Sequence, residues 1–155
     1  RFHHEAAAAG ADGILVLDLP PNEAALNAEL KPVPDLRHIQ LIAPTSTQER
    51  IAEIAASAEG FIYYVSRLGV TGTQTSIASG IAEQVAQIKS ASTVPVCVGF
   101  GVSNPEQAAE IASKADGVVV GSAIVRLIEQ HSSEPDLPER LTAFVKPLVD
   151  AVKAV

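Results

Sequence analysis

The stretch VCVGFGVSNPEQAAEIASKADGVVVGSAIV, residues 96–125, limits what this chain can fold into more than any other. Two short β-type apolar runs, VCVGFG at 96–101 and GVVVGS at 117–122, each close on glycine, with a helix-patterned segment between them. Glycine carries no Cβ, so it serves where a backbone turns tightly or comes close to a ligand. Each glycine turn opens into a helix start, Asn104-Pro105-Glu106 after the first and Ser122-Ala123-Ile124 after the second. Backbone N–H groups at a helix start point at whatever stands before them, and the helix dipole favours an anion there. Two consecutive strand-glycine-helix units of this kind form the phosphate cradle after strands 7 and 8 of many (β/α)8 barrels. A lone glycine turn would say little, but two at barrel spacing favour the phosphate reading over plain strand-to-helix turns, which stay open as the alternative.

The rest of the chain keeps the same step. GILVLDLP (13–20), HIQLIAP (38–44), GFIYYVS (60–66), VPVCVGF (94–100) and GVVVG (117–121) are five nearly continuous apolar runs. Between and after them lie helical patterns. These are NEAALNAEL (22–30) with Asn22 as N-cap, TQERIAEIAASA capped by Ser46 or Thr47, 76–89, 104–113, a short helix from Ser122, and an amphipathic one over 134–153. Strands buried on both faces and separated by helices predict an α/β fold of parallel βα repeats. Five such strands ending in the glycine pair fit strands 4–8, the C-terminal part, of a TIM (β/α)8 barrel. A doubly wound sheet is the alternative, but no GxGxxG follows the first strand and the glycine signature comes late.

A closed barrel usually takes about 250 residues, whereas this chain has 155 and no Met. It opens on RFHHEAAAA, residues 1–9, which reads as the tail of a preceding helix. The expectation is a single domain over residues 1–155, a partial barrel cut from a larger protein.

Composition narrows the function. A hydrophobic content of 47% and mean hydropathy of +0.23 supply a buried core. The net charge of −7 argues against nucleic acid and against an anionic membrane surface. No run approaches the ~18 apolar residues of a membrane span, and no signal-peptide pattern is visible. Cys97 is the single cysteine and sits mid-strand, so it reads as an inert buried thiol rather than half of a disulfide. His3, His4, His38 and His131 show no ligand spacing, and no metal site is expected.

Taken in order, DGILVLDLPPNE, LIAPTST, GFIYYVSRLGVTG, VPVCVGFGVSNPEQA and ADGVVVGSAIV resemble the tryptophan synthase α-chain family. The segments around YYVSRLGVTG and VGFGVSNPEQ are the most specific. The resemblance implies a carbon–carbon lyase of tryptophan biosynthesis, cleaving indole-3-glycerol phosphate to indole and glyceraldehyde 3-phosphate by a retro-aldol step. It also implies a partner, the tryptophan synthase β chain, in an α2β2 heterotetramer. Pyridoxal phosphate belongs to that β chain, and no cofactor is expected in this one. The location implied is the cytoplasm, or the plastid stroma in a photosynthetic eukaryote. The cleavage needs one group to protonate the indole ring and another to take up protons. In the family a Glu and an Asp at the ends of strands 2 and 3 do this, in a portion that these residues do not resemble. No catalytic residue is therefore expected here beyond the supporting Tyr63 and Thr71.

The resemblance implies the remaining roles residue by residue. Gly72, Gly101, Gly121 and Ser122 match phosphate-binding positions, with Phe100 beside them. Alternation sends Phe61, Tyr63 and Val65 to one strand face. The resemblance puts Tyr63 near the glycerol moiety, and Phe61 deeper. Leu15, Leu17 and Leu41 match the apolar slot for indole, and are otherwise ordinary core. Arg67, Gly69 and Thr71 lie in RLGVTGTQ, which resembles a mobile loop whose Thr71 hydrogen-bonds the catalytic Asp. Asp18 is the only carboxylate at a strand end, and the barrel rule would make it catalytic. The resemblance puts it and Pro20 at the β-chain contact instead. Two other functions stay open. One is a non-catalytic phosphate-binding half-barrel. The other is a related phosphate-barrel enzyme of histidine or tryptophan biosynthesis, which YYVSRLGVTG does not fit.

Overall fold

Five parallel strands lie side by side in the same order in which they follow one another in the chain. In this computed structural model, which describes residues 1–17, 19, 23, 33, 34, 36–66, 74–99 and 101–155, they are β1 (Gly13–Leu15), β2 (Arg37–Ile42), β3 (Ile62–Val65), β4 (Val96–Gly99) and β5 (Gly117–Val118). The pairing is parallel throughout, β1 with β2, β2 with β3, β3 with β4 and β4 with β5. A doubly wound sheet reverses its strand order at a switch point. Here every step goes the same way, as in a barrel wall.

The described helices are α1 (Phe2–Ala8), α2 (Gln48–Ala56), α3 (Gln74–Ala91), α4 (Pro105–Ala112), α5 (Ser122–His131) and α6 (Leu137–Lys153). Thr47 caps α2, its Oγ1 accepting from the N–H of Arg50 at 3.3 Å. The last helix starts at Leu137 rather than at 134: a turn in which Glu134 N–H donates to His131 O intervenes, and Pro138 sits in the first turn, where its missing N–H costs nothing. The expected helix 22–30 and its Asn22 cap lie outside the described residues, apart from Glu23.

Strand alternation divides the sheet into two faces. Ile42, Ile62, Tyr64, Val96 and Val98 are buried under the helices. Ile51 and Ile54 of α2, Val85 and Ile88 of α3, Ala108 and Ile111 of α4, and Leu148 of α6 complete this core. Each such aliphatic side chain contributes about 1.5–3 kcal/mol by leaving water, so the helix layer is what holds the sheet. On the other face Leu41, Tyr63, Cys97 and Gly117 stand opposite one another across β2 to β5, all of them only partly buried.

At the N-terminal end of the strands one carboxylate ties three elements together. Asp116 Oδ2 accepts from Val96 N–H at 2.9 Å, while Oδ1 accepts from Lys89 Nζ at 2.7 Å. Burial works against its charge, but the Lys89 hydrogen bond, the Val96 N–H and the Lys89 charge together hold Asp116 below the usual carboxylate range. In barrels this end serves stability, and the opposite end carries function.

Candidate functional site

The C-terminal ends of β4 and β5 carry the glycine turns. Gly101 follows β4 with φ of +74°, in the left-handed region that L side chains rarely adopt. A Cβ there meets no atom within 4 Å. Gly121 is the N-cap of α5, at φ −116° and ψ −82°, and it too faces open space. Ser122, the first residue of α5, is exposed. The two glycines thus differ in kind. The backbone angle favours glycine at Gly101, whereas at Gly121 neither a positive φ nor a neighbouring atom calls for it.

Gly99 separates itself from both. A Cβ on it would strike the main-chain oxygen of Val119 and lie 2.8 Å from the Val119 Cβ. Its absence lets β4 and the segment after β5 close on each other, where Val119 N–H donates to Val98 O at 2.9 Å. A glycine inside a strand marks such an approach, and this is the signal in the sequence that points to Gly99.

The two helix starts are also unequal. Asn104 caps α4, its Oδ1 accepting from Gln107 N–H at 2.9 Å. Gln107 Oε1 in turn accepts from Ser103 N–H at 2.9 Å, so the start of α4 is closed by its own side chains. No side chain caps α5. Of these two helix starts, the one at Gly121 and Ser122 is the one without a side-chain cap.

On the partly buried sheet face, Tyr63 stands in register with Leu41 on one side and Cys97 on the other. Burial raises the Tyr63 pKa, keeping its hydroxyl protonated and able both to donate and to accept. Phe61 precedes it on the same face by alternation, partly buried. Leu15 pairs with Ile39 and is 40% exposed, and Leu17 beyond the end of β1 is 71% exposed. Burial, with the Asp116 charge second, pushes the Cys97 thiol up, away from the thiolate a nucleophile needs. Gly117 has no Cβ to meet the Cys97 sulfur, which lies 2.7 Å from the place one would occupy.

Asp18, Pro20, Arg67, Gly69, Thr71, Gly72 and Phe100 lie outside the described residues. Among the described residues no three His, Cys, Asp or Glu side chains form a group able to hold a metal, and no helix is long and apolar enough to cross a membrane.

Parallel βα units wound in one direction, with glycine turns above the last two strands, define the C-terminal part of a TIM (β/α)8 barrel. The chain belongs to the tryptophan synthase alpha chain family, whose sequence profile matches residues 1–153. It is 49% identical over 156 residues to the tryptophan synthase alpha chain of Geobacter sulfurreducens, covering 98% of this chain and 57% of that protein. The alpha chain of Desulfatibacillum aliphaticivorans is 45% identical over 153 residues, at 99% and 58% coverage. Among solved structures, tryptophan synthase subunit alpha from Legionella pneumophila superposes with a TM-score of 0.83 at 35% identity, covering 99% of this chain and 56% of that one. An aminoacrylate-bound form of Mycobacterium tuberculosis tryptophan synthase gives 0.80 at 37% identity, with 97% and 54% covered. The chain therefore spans about 57% of the length of the relatives it matches.

Proposed function

We propose that these residues are the part of a tryptophan synthase alpha chain that holds the phosphate and the indole ring of indole-3-glycerol phosphate. The observation that carries this reading is the uncapped start of α5, with open space before Gly121. A phosphate dianion there meets backbone N–H donors, the dipole of α5 and the Ser122 hydroxyl. Gly101 leaves room beside it, and Gly72 and Phe100 complete the cradle. Tyr63 meets the glycerol portion, and Leu15, Leu17, Leu41 and Phe61 form the apolar slot for the indole ring.

The chemistry is a retro-aldol cleavage. The bond between indole C3 and the glycerol carbon breaks, C3 gains a proton, and the hydroxyl on the glycerol carbon loses one as the aldehyde forms. The proton-transfer pair is carboxylate, a Glu and an Asp supplied from outside these 155 residues. Arg67, Gly69 and Thr71 belong to a loop that covers the substrate, with Thr71 bonding the catalytic Asp. Asp18 and Pro20 contact the β chain in an α2β2 assembly in the cytoplasm, or in the plastid stroma of a photosynthetic eukaryote. The pyridoxal phosphate is that partner's, and this chain needs no cofactor of its own.

Ser122→Ala tests the reading. It removes one hydrogen bond to a charged group, worth about 1.5–3 kcal/mol, or roughly ten- to a hundredfold in glycerol 3-phosphate affinity. Indole affinity stays nearly unchanged. Equal losses for the two ligands, with a lowered Tm, would mean that these are turn residues only.

A further inference from the structure

We propose that Asp116 is a positioning residue for the anion site: by gripping Val96 and Lys89 it fixes the register of β5, and so sets where Gly121 and Ser122 stand. The inference rests on the reading of Gly121 and Ser122 as phosphate contacts.

Strand β5 is short. Only Gly117 and Val118 form it, paired with Cys97 and Val98. A ladder this short specifies register weakly, and a slip of one residue turns every side chain to the opposite face. The same slip displaces the residues beyond β5 by about 3.3 Å along the strand. That carries Ser122 Oγ beyond hydrogen-bond reach of a ligand it would otherwise touch at about 2.5–3.0 Å.

Three contacts oppose the slip. At the upper end Val119 N–H donates to Val98 O at 2.9 Å, over the gap that Gly99 leaves. In the middle Gly117 fits beneath the Cys97 sulfur because it has no Cβ. The first is one main-chain hydrogen bond and the second a steric fit. At the lower end Asp116 adds a side-chain grip to its main-chain one. Its N–H donates to Val96 O at 2.9 Å, and its carboxylate takes Val96 N–H at 2.9 Å. One residue therefore holds both main-chain polar groups of Val96. The second carboxylate oxygen takes Lys89 Nζ at 2.7 Å, which ties β5 to the last turn of α3. The charge pair is partly exposed, so the main-chain grip is the larger part of the effect.

The test uses the 155-residue chain, with glycerol 3-phosphate as the probe and amide hydrogen exchange as the register readout. Asp116→Ala weakens glycerol 3-phosphate binding on the order of tenfold, the loss of about one hydrogen bond to a charged group. It also speeds exchange at Val119 relative to the amides of β2 and β3. Asp116→Asn keeps an oxygen for Val96 N–H and gives a smaller effect, and Lys89→Met gives a smaller effect still. A global loss of stability would accelerate the amides of β2 and β3 equally. Should Asp116→Ala fail to fold, Asp116→Asn and Lys89→Met carry the comparison. Unchanged affinity, or acceleration uniform across the sheet, overturns the proposal. If Ser122→Ala leaves glycerol 3-phosphate binding untouched, the phosphate reading fails instead. Exchange at Val119 then decides by itself whether Asp116 sets the register.

Discussion

Gly99 and Val119 occupy space that only one side chain can use: a Cβ on Gly99 would fall 2.8 Å from the Val119 Cβ and strike the Val119 main-chain oxygen. Gly99 is buried, and the atoms it would meet are the main-chain O and C of Val119 and the Cβ fixed to that main chain, none of which can swing aside. Gly99→Ala therefore overpacks the junction of β4 and β5, costing about 1–3 kcal/mol. Thermal unfolding checks this, and a Tm within a degree or so of the parent would contradict it.

Gly101 and Gly121 part company under the same substitution. Gly101→Ala forces a Cβ into φ of +74° and lowers stability by about 1 kcal/mol through strain alone. Gly121→Ala has neither strain at φ −116° nor a clash, and unfolds like the parent. If the phosphate reading holds, both weaken glycerol 3-phosphate binding, because each new methyl takes up open space that the ligand would use. Denaturant titration beside ligand titration separates the two effects. Loss of stability without loss of binding at Gly121 would return that glycine to an ordinary helix cap.

Asp116 gives the acid limb of stability a definite sign. Its folded pKa lies below the unfolded value, held there against burial by Lys89 and Val96. The stabilisation is present above the ordinary aspartate pKa of about 3.9 and is lost as pH falls through the lower folded value. Asp116→Asn flattens the stability curve below about pH 4 and changes its slope little near neutral pH. Stability measured from about pH 2 to 7 checks this. An identical acid limb in the two proteins would show that the carboxylate charge contributes nothing.

Among the described strands, β1 and β5 are each paired on one side only. Leu17, just beyond β1, is 71% exposed, and Val125, on the helix that follows β5, is 63% exposed. Unpaired edges beside apolar side chains template further pairing. The 155-residue chain by itself is expected to self-associate with rising concentration, a change visible by light scattering. A monodisperse monomer at high concentration would contradict this.

The strands and their order were legible because each is a short apolar run, but the expected burial on both faces holds only in part: Ile62, Tyr64, Val96 and Val98 are buried under the helices, while Leu41, Tyr63 and Cys97 on the other face are partly buried. The end of β5 was not, since nothing in GVVVG marks where pairing stops after Val118. The closed start of α4 was half legible. Asn104 followed by Gln107 has the spacing of a capping box, which distinguishes it from the bare Gly121-Ser122 start of α5. The grip of Asp116 on Val96 spans 20 residues and depends on register, so no local pattern announces it. Gly101 and Gly99 look alike in VGFG, yet one is needed for its backbone angle and the other for its neighbour.

Glycerol 3-phosphate titrated into the 15N-labelled 155-residue chain tests the phosphate site most directly. Amide resonances of Gly101, Gly121 and Ser122 should shift together and saturate, with those of Val96 and Asp116 at the far end of the strands little changed. In Ser122→Ala the same shifts should appear only at roughly ten- to a hundredfold higher ligand. Resonances at Gly121 and Ser122 that stay in place up to millimolar ligand, or that respond identically in Ser122→Ala, would contradict the assignment of this turn as the phosphate site.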